Sequence, residues 1–376
     1  MAKVLHVISG LSDGGAEASL YKLITNSPSI EHVVFTMKRG GKYEALLEKE
    51  CVEVHTGNFS SIKSSVNSFL NLKKLVQQEE FVAFQAWMYH AEFLLTIICM
   101  LLKERRVFWS VHNTVLKFGE SKLLTILLSY FNVVLSRVWP VKIIYCAEES
   151  QRIHENLGYS NSNSKVIQNG YDISRFSIYS EKKKKEIKEN LGLEKNVVFG
   201  CVGRHDPYKD HANLISALNF FKEKFGDDFI CLLLGKGMDN TNQIMHDLIN
   251  YHGLNDNVLL CGPTEDIPKY MNVFDVHILS SSAEAFPNVI CEAMACGTPC
   301  ISTLVGDVES IVGDTGWLCP PKDPRILANC ILEAVVERDI NGKKFAERSL
   351  LARSRIEERF TIDVMVQSYL YSWDLI

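Results

Sequence analysis

Residues 281–302, SSAEAFPNVICEAMACGTPCIS, carry two carboxylates, Glu284 and Glu292, on either side of Phe286, Pro287 and Asn288. The run before them, VHILS at 276–280, is apolar on both faces and reads as a buried strand, with 281–287 as its outgoing loop. From Asn288 the apolar spacing is helical and stops at Gly297, where Thr298 and Pro299 lead into a further strand, PCIST. Strand, loop, helix and strand in this order make a parallel sheet, and its outgoing loops lie at the carboxyl edge where ligands bind.

The same alternation runs outward from this stretch in both directions. VLHVIS, HVVFTM, VEVHTG, FVAFQAW, VFWSVHN, KIIYCA and KVIQNG each precede a helical pattern or a turn in the first half. After a break at YDISRFSIYSE and the basic run KKKK, read as the solvated start of a helix or else as an electrostatic membrane contact, the pattern resumes with NVVFGCVG, FICLLLG and NVLLCG. The expectation is two α/β domains, which suits 376 residues because single cores stop growing at roughly 250–300.

Composition narrows the function. A formal charge of −5, with no basic stripe interleaved with aromatics, argues against a nucleic-acid partner. The eleven cysteines are scattered through apolar runs without a CxxC pair, as expected of small hydrophobes in a reducing cytosol. MAKVLHVISGL runs directly into a strand and lacks the pattern of a signal peptide, and no apolar run reaches the roughly 20 residues of a spanning helix, so a cytoplasmic protein is expected. The segment KFGESKLLTILLSYFNVVLSRVWPVK mixes large apolar residues with Lys117, Lys122, Arg137 and Lys142 at helical spacing. It reads either as a helix packed on its own sheet or as one lying on an anionic membrane surface.

Three loops carry chemistry. GLSDGGAEAS places Gly10, Gly14 and Gly15 ahead of a helix, where the backbone can approach an anion. It is not the dinucleotide GxGxxG, and the second strand leads to Lys38 and Arg39 instead of an acid, which makes a dehydrogenase a poor reading. VGRHDPYKDHANL puts Arg204 and Lys209 before another helix, two cations suited to a diphosphate. In the opening stretch, Glu284 and Glu292 can accept hydrogen bonds from sugar hydroxyls, while the N–H groups of Phe286, Pro287's neighbours Asn288 and Val289, and the helix start can hold an anion. Hydroxyls on both sides of an anion describe a sugar nucleotide.

At this point VGRHDPYKDHANLISAL followed by SSAEAFPNVICEAMACGTPCISTLVGDVESIV resembles the family 4 glycosyltransferases, whose mark is two glutamates with seven residues between them. GGAE, WMYH, VHNT and NGYD extend the resemblance over most of the chain. It implies a GT-B fold: an α/β protein of two Rossmann-like parallel-sheet domains facing a cleft. Their expected bounds are 1–175 for the acceptor domain, joined by a helix over 355–376 that packs back onto it, and 176–354 for the donor domain. It further implies that Arg204 and Lys209 hold the donor diphosphate, Glu284 the transferred sugar and Glu292 the ribose. Ala285, Phe286, Pro287, Asn288 and Val289 would line the donor loop, Gly15 would close on phosphate, and His112 would stand near the sugar. Glu17, His90 and Asn113 are the expected acceptor-side residues. Two positions depart from the family pattern, Ala285 and Asp210, where glycine is frequent.

The implied activity moves a hexose or N-acetylhexosamine from a nucleoside diphosphate, UDP foremost, to a saccharide hydroxyl with retention of configuration. No cofactor or metal is expected, since cations and helix ends can stabilise the departing diphosphate and no DxD or Cys/His cluster is present. WMYH and VHNT look like the branch that builds bacterial surface polysaccharide (O-antigen, lipopolysaccharide or capsule), which implies a polyprenyl-diphosphate-linked acceptor and peripheral contact with the inner membrane. Two other readings stay open: a sugar-nucleotide epimerase of the same fold, and a catalytically silent partner that binds sugar nucleotide.

Overall fold

A computed structural model describes residues 1–112, 123–284 and 286–376. Asn113 and Ala285, together with Thr114, Lys117 and Lys122, lie outside the described residues. The chain divides into two units, Met1–Gly170 with Ile362–Ile376, and Tyr171–Thr361.

The first unit contains β1 Ala2–Ile8, β2 Ile30–Thr36, β3 Glu53–Thr56, β4 Ala83–Trp87, β5 Val107–Val111, β6 Val141–Tyr145 and β7 Ser164–Val166. They form one parallel sheet in the order β3-β2-β1-β4-β5-β6-β7. Alternation within β1 shows how both faces are used. Leu5 and Val7 pack beneath the helices Ile62–Gln78, Tyr89–Leu102 and Leu123–Val138. Val4 and Ile8 pack with the helices Gly15–Thr25 and Ile362–Ser372.

The second unit contains β8 Val197–Val202, β9 Phe229–Leu234, β10 Val258–Gly262, β11 Val276–Leu279, β12 Cys300–Thr303 and β13 Trp317–Cys319. Its order is β10-β9-β8-β11-β12-β13, again parallel throughout. The quoted stretch is the loop after β11, the helix Asn288–Ala295 and β12. The lysine run opens the helix Glu181–Asn190, whose amino end is capped by the Ser180 hydroxyl and whose one buried side chain is Ile187.

The terminal segment is not one helix. Gly342–Arg359 stays with the second unit, where the Tyr171 N–H donates to the Phe360 carbonyl at 2.8 Å, and only Ile362–Ser372 belongs to the first. There the Trp373 Nε1–H donates to Gln85 Oε1 at 3.0 Å, Ser110 and Tyr369 hydroxyls bond at 2.9 Å, and the Tyr369 ring stacks on Trp87 at 5.9 Å. Gln85 and Ser110 are fully buried, so these bonds satisfy groups whose loss of water is otherwise costly.

Several histidines are buried in the neutral form. Burial lowers His32 and His154 to about 4, and burial together with the Lys209 charge lowers His277 to about 3. The unfolded chain takes up these protons near pH 6.5, well above the folded values. Their contribution to stability is therefore complete above about pH 6.5 and lost as the pH falls toward 4. The urea midpoint should drop between pH 7.5 and 5. His277, on β11 with neither ring nitrogen hydrogen-bonded, supplies a test, since His277→Leu should make that drop smaller.

Candidate active site

The second unit builds its site on β8 and β11, neighbouring strands at which the strand order reverses and where the carboxyl ends leave a crevice. The loop leaving β8 lies on the loop leaving β9. The Gly203 N–H donates to the Leu234 carbonyl and the His205 N–H to the Lys236 carbonyl, both at 2.8 Å. Gly235 permits this approach: its φ is +139°, and a Cβ there would stand 2.1 Å from the Gly203 oxygen. Arg204 is thereby held at the surface, its side chain 70% exposed, with Nη2 at 2.9 Å from the Asp206 carboxylate. Burial acts to raise Asp206, but the Tyr208 N–H, Arg204 and Lys209 hold it below its usual value.

The chain then turns through Pro207–Lys209 into the helix His211–Phe225, and this turn is tied to the loop leaving β11. Ser280 Oγ donates to the Lys209 carbonyl at 2.9 Å, and the Ser282 N–H to the Tyr208 carbonyl at 2.7 Å. Thr303, at the end of β12, donates to the Ser281 carbonyl at 2.6 Å. Within this frame Lys209 Nζ meets Glu284 Oε1 at 2.5 Å, and Ser281 Oγ donates to the same oxygen at 2.7 Å. Both charged side chains are mostly sheltered, 21% and 14% exposed, so their attraction is screened less than that of a surface pair.

Beyond Glu284, Phe286 stacks on Tyr171 at 6.4 Å, and the Tyr171 hydroxyl donates to Asn288 Oδ1. Pro287 occupies the N-cap of the helix Asn288–Ala295 and offers no side-chain acceptor to its first turn. Val289 and Glu292 follow on that helix, both partly buried. The second unit therefore brings Arg204, Lys209, Glu284 and the Phe286 to Glu292 segment to one carboxyl edge, with the direct pairing falling between Lys209 and Glu284.

The first unit holds the other expected residues at the carboxyl edge of β1, β4 and β5. Gly15 opens the helix Gly15–Thr25, after Gly14 at the N-cap, and a Cβ on Gly15 would meet only open space. Glu17 folds back over Gly14, and burial raises its carboxyl against the opposing effect of its own amide. His112 directly follows β5 and stacks on Trp87 at 5.3 Å; burial lowers it to about 4, so its ring is neutral at pH 7. His90 lines a separate cleft of about 920 Å³ that also takes in Ser9, Lys38, Arg39, Asn58 and Ser60. Among the described residues no group of three His, Cys, Asp or Glu side chains gathers as a metal would require.

Sequence reasoning used Lys38 and Arg39 only to set aside a dinucleotide, and passed over Ser280, Ser281, Ser282, Asp206 and Thr303. The run of three serines at the end of a strand was the only signal, and serine is common in any loop.

Two parallel-sheet units with these strand orders make the GT-B fold, and residues 174–336 match the family described as glycosyl transferases group 1. Over the whole of both chains the fold matches the crystal structure of Anabaena HepE in complex with UDP, with a TM-score of 0.87 at 22% identity. The chain is 28% identical over 209 residues to the N-acetyl-α-D-glucosaminyl L-malate synthase of Bacillus anthracis, 55% of this chain and about half, 53%, of that relative. It is 26% identical over 293 residues to an Escherichia coli galactosyltransferase named for UDP-Gal and α-D-GlcNAc-diphosphoundecaprenol, covering 76% of this chain and 74% of the relative.

Asp210 stands at a position where φ is +45°, a left-handed conformation that favours glycine, yet its Oδ1 accepts the Asn213 N–H at 3.3 Å and caps the helix His211–Phe225. Asp210→Ala keeps the backbone strain and loses the cap, for an expected cost of about 1–3 kcal/mol. Asp210→Gly loses the cap but relieves the strain and should lie closer to the parent in urea denaturation.

Proposed function

We propose that the protein is a retaining glycosyltransferase that needs no metal. It moves a hexose or N-acetylhexosamine from a nucleoside diphosphate sugar, with UDP the favoured nucleotide, to a saccharide hydroxyl in surface polysaccharide synthesis. The acceptor is carried on a polyprenyl diphosphate, so the protein works as a peripheral protein at the cytoplasmic face of the inner membrane. The observation that carries the reading is the Lys209–Glu284 pair beside Arg204 at the switch point of a glycosyl transferases group 1 domain. The UDP in the HepE crystal structure and the lipid-linked substrate in the name of the E. coli relative support the choice of donor and acceptor.

The bond that breaks joins the sugar's anomeric carbon to the diphosphate oxygen, and the bond that forms joins that carbon to the acceptor hydroxyl oxygen. The acceptor's proton leaves with the diphosphate. The barrier is dominated by negative charge growing on the diphosphate, which Lys209, Arg204 and the uncapped start of the helix Asn288–Ala295 would stabilise. Glu284 pairs directly with Lys209. Donor phosphate therefore competes for the ammonium, while sugar hydroxyls donate to the carboxylate in exchange. Glu292 would accept from the ribose, and neutral His112 would hydrogen-bond the sugar without adding charge. Retention follows the resemblance of the two-glutamate pattern.

Lys209→Ala and Glu284→Gln should each lower the rate of UDP release with acceptor by roughly 10²–10³-fold. A thermal-shift panel of UDP-, GDP-, dTDP- and ADP-sugars should raise the melting temperature for one nucleotide class, and Glu292→Ala should abolish that rise. EDTA should leave the rate unchanged, and the product should be the α-anomer by NMR. Parent-like turnover in Glu284→Gln, or strict dependence on Mg²⁺, would refute the mechanism.

A further inference from the structure

Four rings cross the first sheet on a diagonal. The register sets His32 of β2 two residues behind Val34, the partner of His6 on β1; His6 also pairs with Gln85 of β4, and Trp87 with Ser110 of β5. Side chains two residues apart share a face, so His32, His6 and Trp87 stand on one side of the sheet, each two residues nearer the carboxyl edge than the last. His112, just past β5, takes the next step. Successive ring centroids lie 5.1, 6.1 and 5.3 Å apart. His32, His6 and Trp87 are buried, the last two completely. Only His112 has a part in the proposed reaction.

Hydrogen bonds along this diagonal run in one direction. Burial keeps both inner imidazoles uncharged, lowering His32 to about 4 and His6 well below its usual value, so each carries one proton and has one acceptor nitrogen. An indole nitrogen only donates. The Trp87 Nε1–H, at 3.2 Å, therefore makes His6 Nδ1 the acceptor and puts the His6 proton on Nε2. That N–H donates to His32 Nδ1 at 2.9 Å, which leaves the His32 proton on Nε2, facing Ser27 Oγ at 2.8 Å. The Ser27 hydroxyl donates in turn to the Leu23 carbonyl.

Packing alone does not call for an imidazole in β1. An apolar side chain at position 6 would fill the same face, as Val4 and Ile8 do. What His6 adds is an acceptor for the Trp87 N–H. Tyr369 lies nearly parallel to that indole at 5.9 Å, with its hydroxyl bonded to Ser110, and Ser110 accepts from Gln85. Stacking fixes the plane of a ring but lets it slide and turn, whereas a hydrogen bond fixes its rotation. Tyr369 and His6 together hold the indole, and the His112 ring stacks on it 29° from parallel.

We propose that His6 is a positioning residue for sugar transfer, setting the Trp87 indole against which the His112 imidazole is aligned. This deepens the proposed function and rests on it for the part His112 plays, but the alignment itself is read without donor or acceptor. In the parent protein, NMR of nitrogen-labelled imidazoles should show His6 and His32 as Nε2–H tautomers, and an Nδ1–H tautomer at His6 would overturn the proposal. His6→Leu removes the acceptor, whereas in His6→Asn the side-chain Oδ1 stands where Nδ1 stood and can take the Trp87 N–H. The His112 ring signals should therefore move in His6→Leu and stay close to the parent in His6→Asn; equal movement in both, or none in His6→Leu, would refute the alignment. If His6→Leu does not fold, Trp87→Phe takes its place, since it lacks the N–H and keeps a ring beneath His112.

The rate is read as UDP released from UDP-glucose. It should fall roughly 10–10²-fold in His6→Leu with the donor KM little changed, and His6→Asn should recover most of it. The loss should vanish when His112 is already replaced by alanine, because a residue that acts through His112 then has nothing left to align. An equal loss in both backgrounds would show a structural role and sink the proposal. Absence of UDP release by the parent counts against the proposed function, and the NMR comparison then decides the alignment by itself.

Discussion

The ion pair between Lys209 and Glu284 joins two loops that are 75 residues apart in the chain and adjacent in space. Its geometry depends on β8 and β11 being neighbours, which in turn requires the reversal of strand order in the second sheet. Two partly sheltered charges this close stabilise one another only if their remaining valences are met. Ser281 supplies one hydrogen bond to the carboxylate, and Ser280 fixes the Lys209 backbone, so the serines hold the pair in place. The site is thus braced by contacts among its own side chains.

The same logic runs through the neighbouring loops. Gly235 lets the β8 loop sit down on the β9 loop, and Asp210 turns the chain into a helix at a backbone angle that most residues resist. The strained angle at Asp210 is offset by the cap that its carboxylate gives to the following helix. Rigid strands carry a set of loops whose backbone groups are largely spent on one another, so the groups left to meet a ligand are few and defined.

Much of this was readable in the residues, for identifiable reasons. Strands buried on both faces announce themselves as apolar runs, and β1, β2, β4, β5 and β6 of the first sheet and β8, β9, β11 and β12 of the second stand out in that way. β13 does not, because Trp317–Cys319 is three residues long and two of them are only half-buried. The helix Pro324–Ile340 also went unread, since its buried Leu327, Ile331, Ala334 and Val335 are interleaved with small residues and cysteine that blur the apolar face. In the site, Lys209 and Glu284 could each be recognised as a strand-end residue, but their pairing follows from topology and not from spacing. The hydroxyls of Ser280 and Ser281 escaped notice because serine at the end of a strand resembles any loop.

The return of Ile362–Ser372 to the first unit has a consequence for the order in which the protein is made. Trp87, Gln85 and Ser110 are translated early, whereas Tyr369 and Trp373, which cover them, follow the whole of the second unit. On the ribosome the first sheet therefore waits with one face incomplete and Gln85 Oε1 without its Trp373 donor while the Tyr171–Thr361 unit emerges and can already bury its own core. The segment that finishes the first unit thus reports that the second has been synthesised, and a nascent chain stalled before residue 362 would expose an apolar patch to chaperones and proteases.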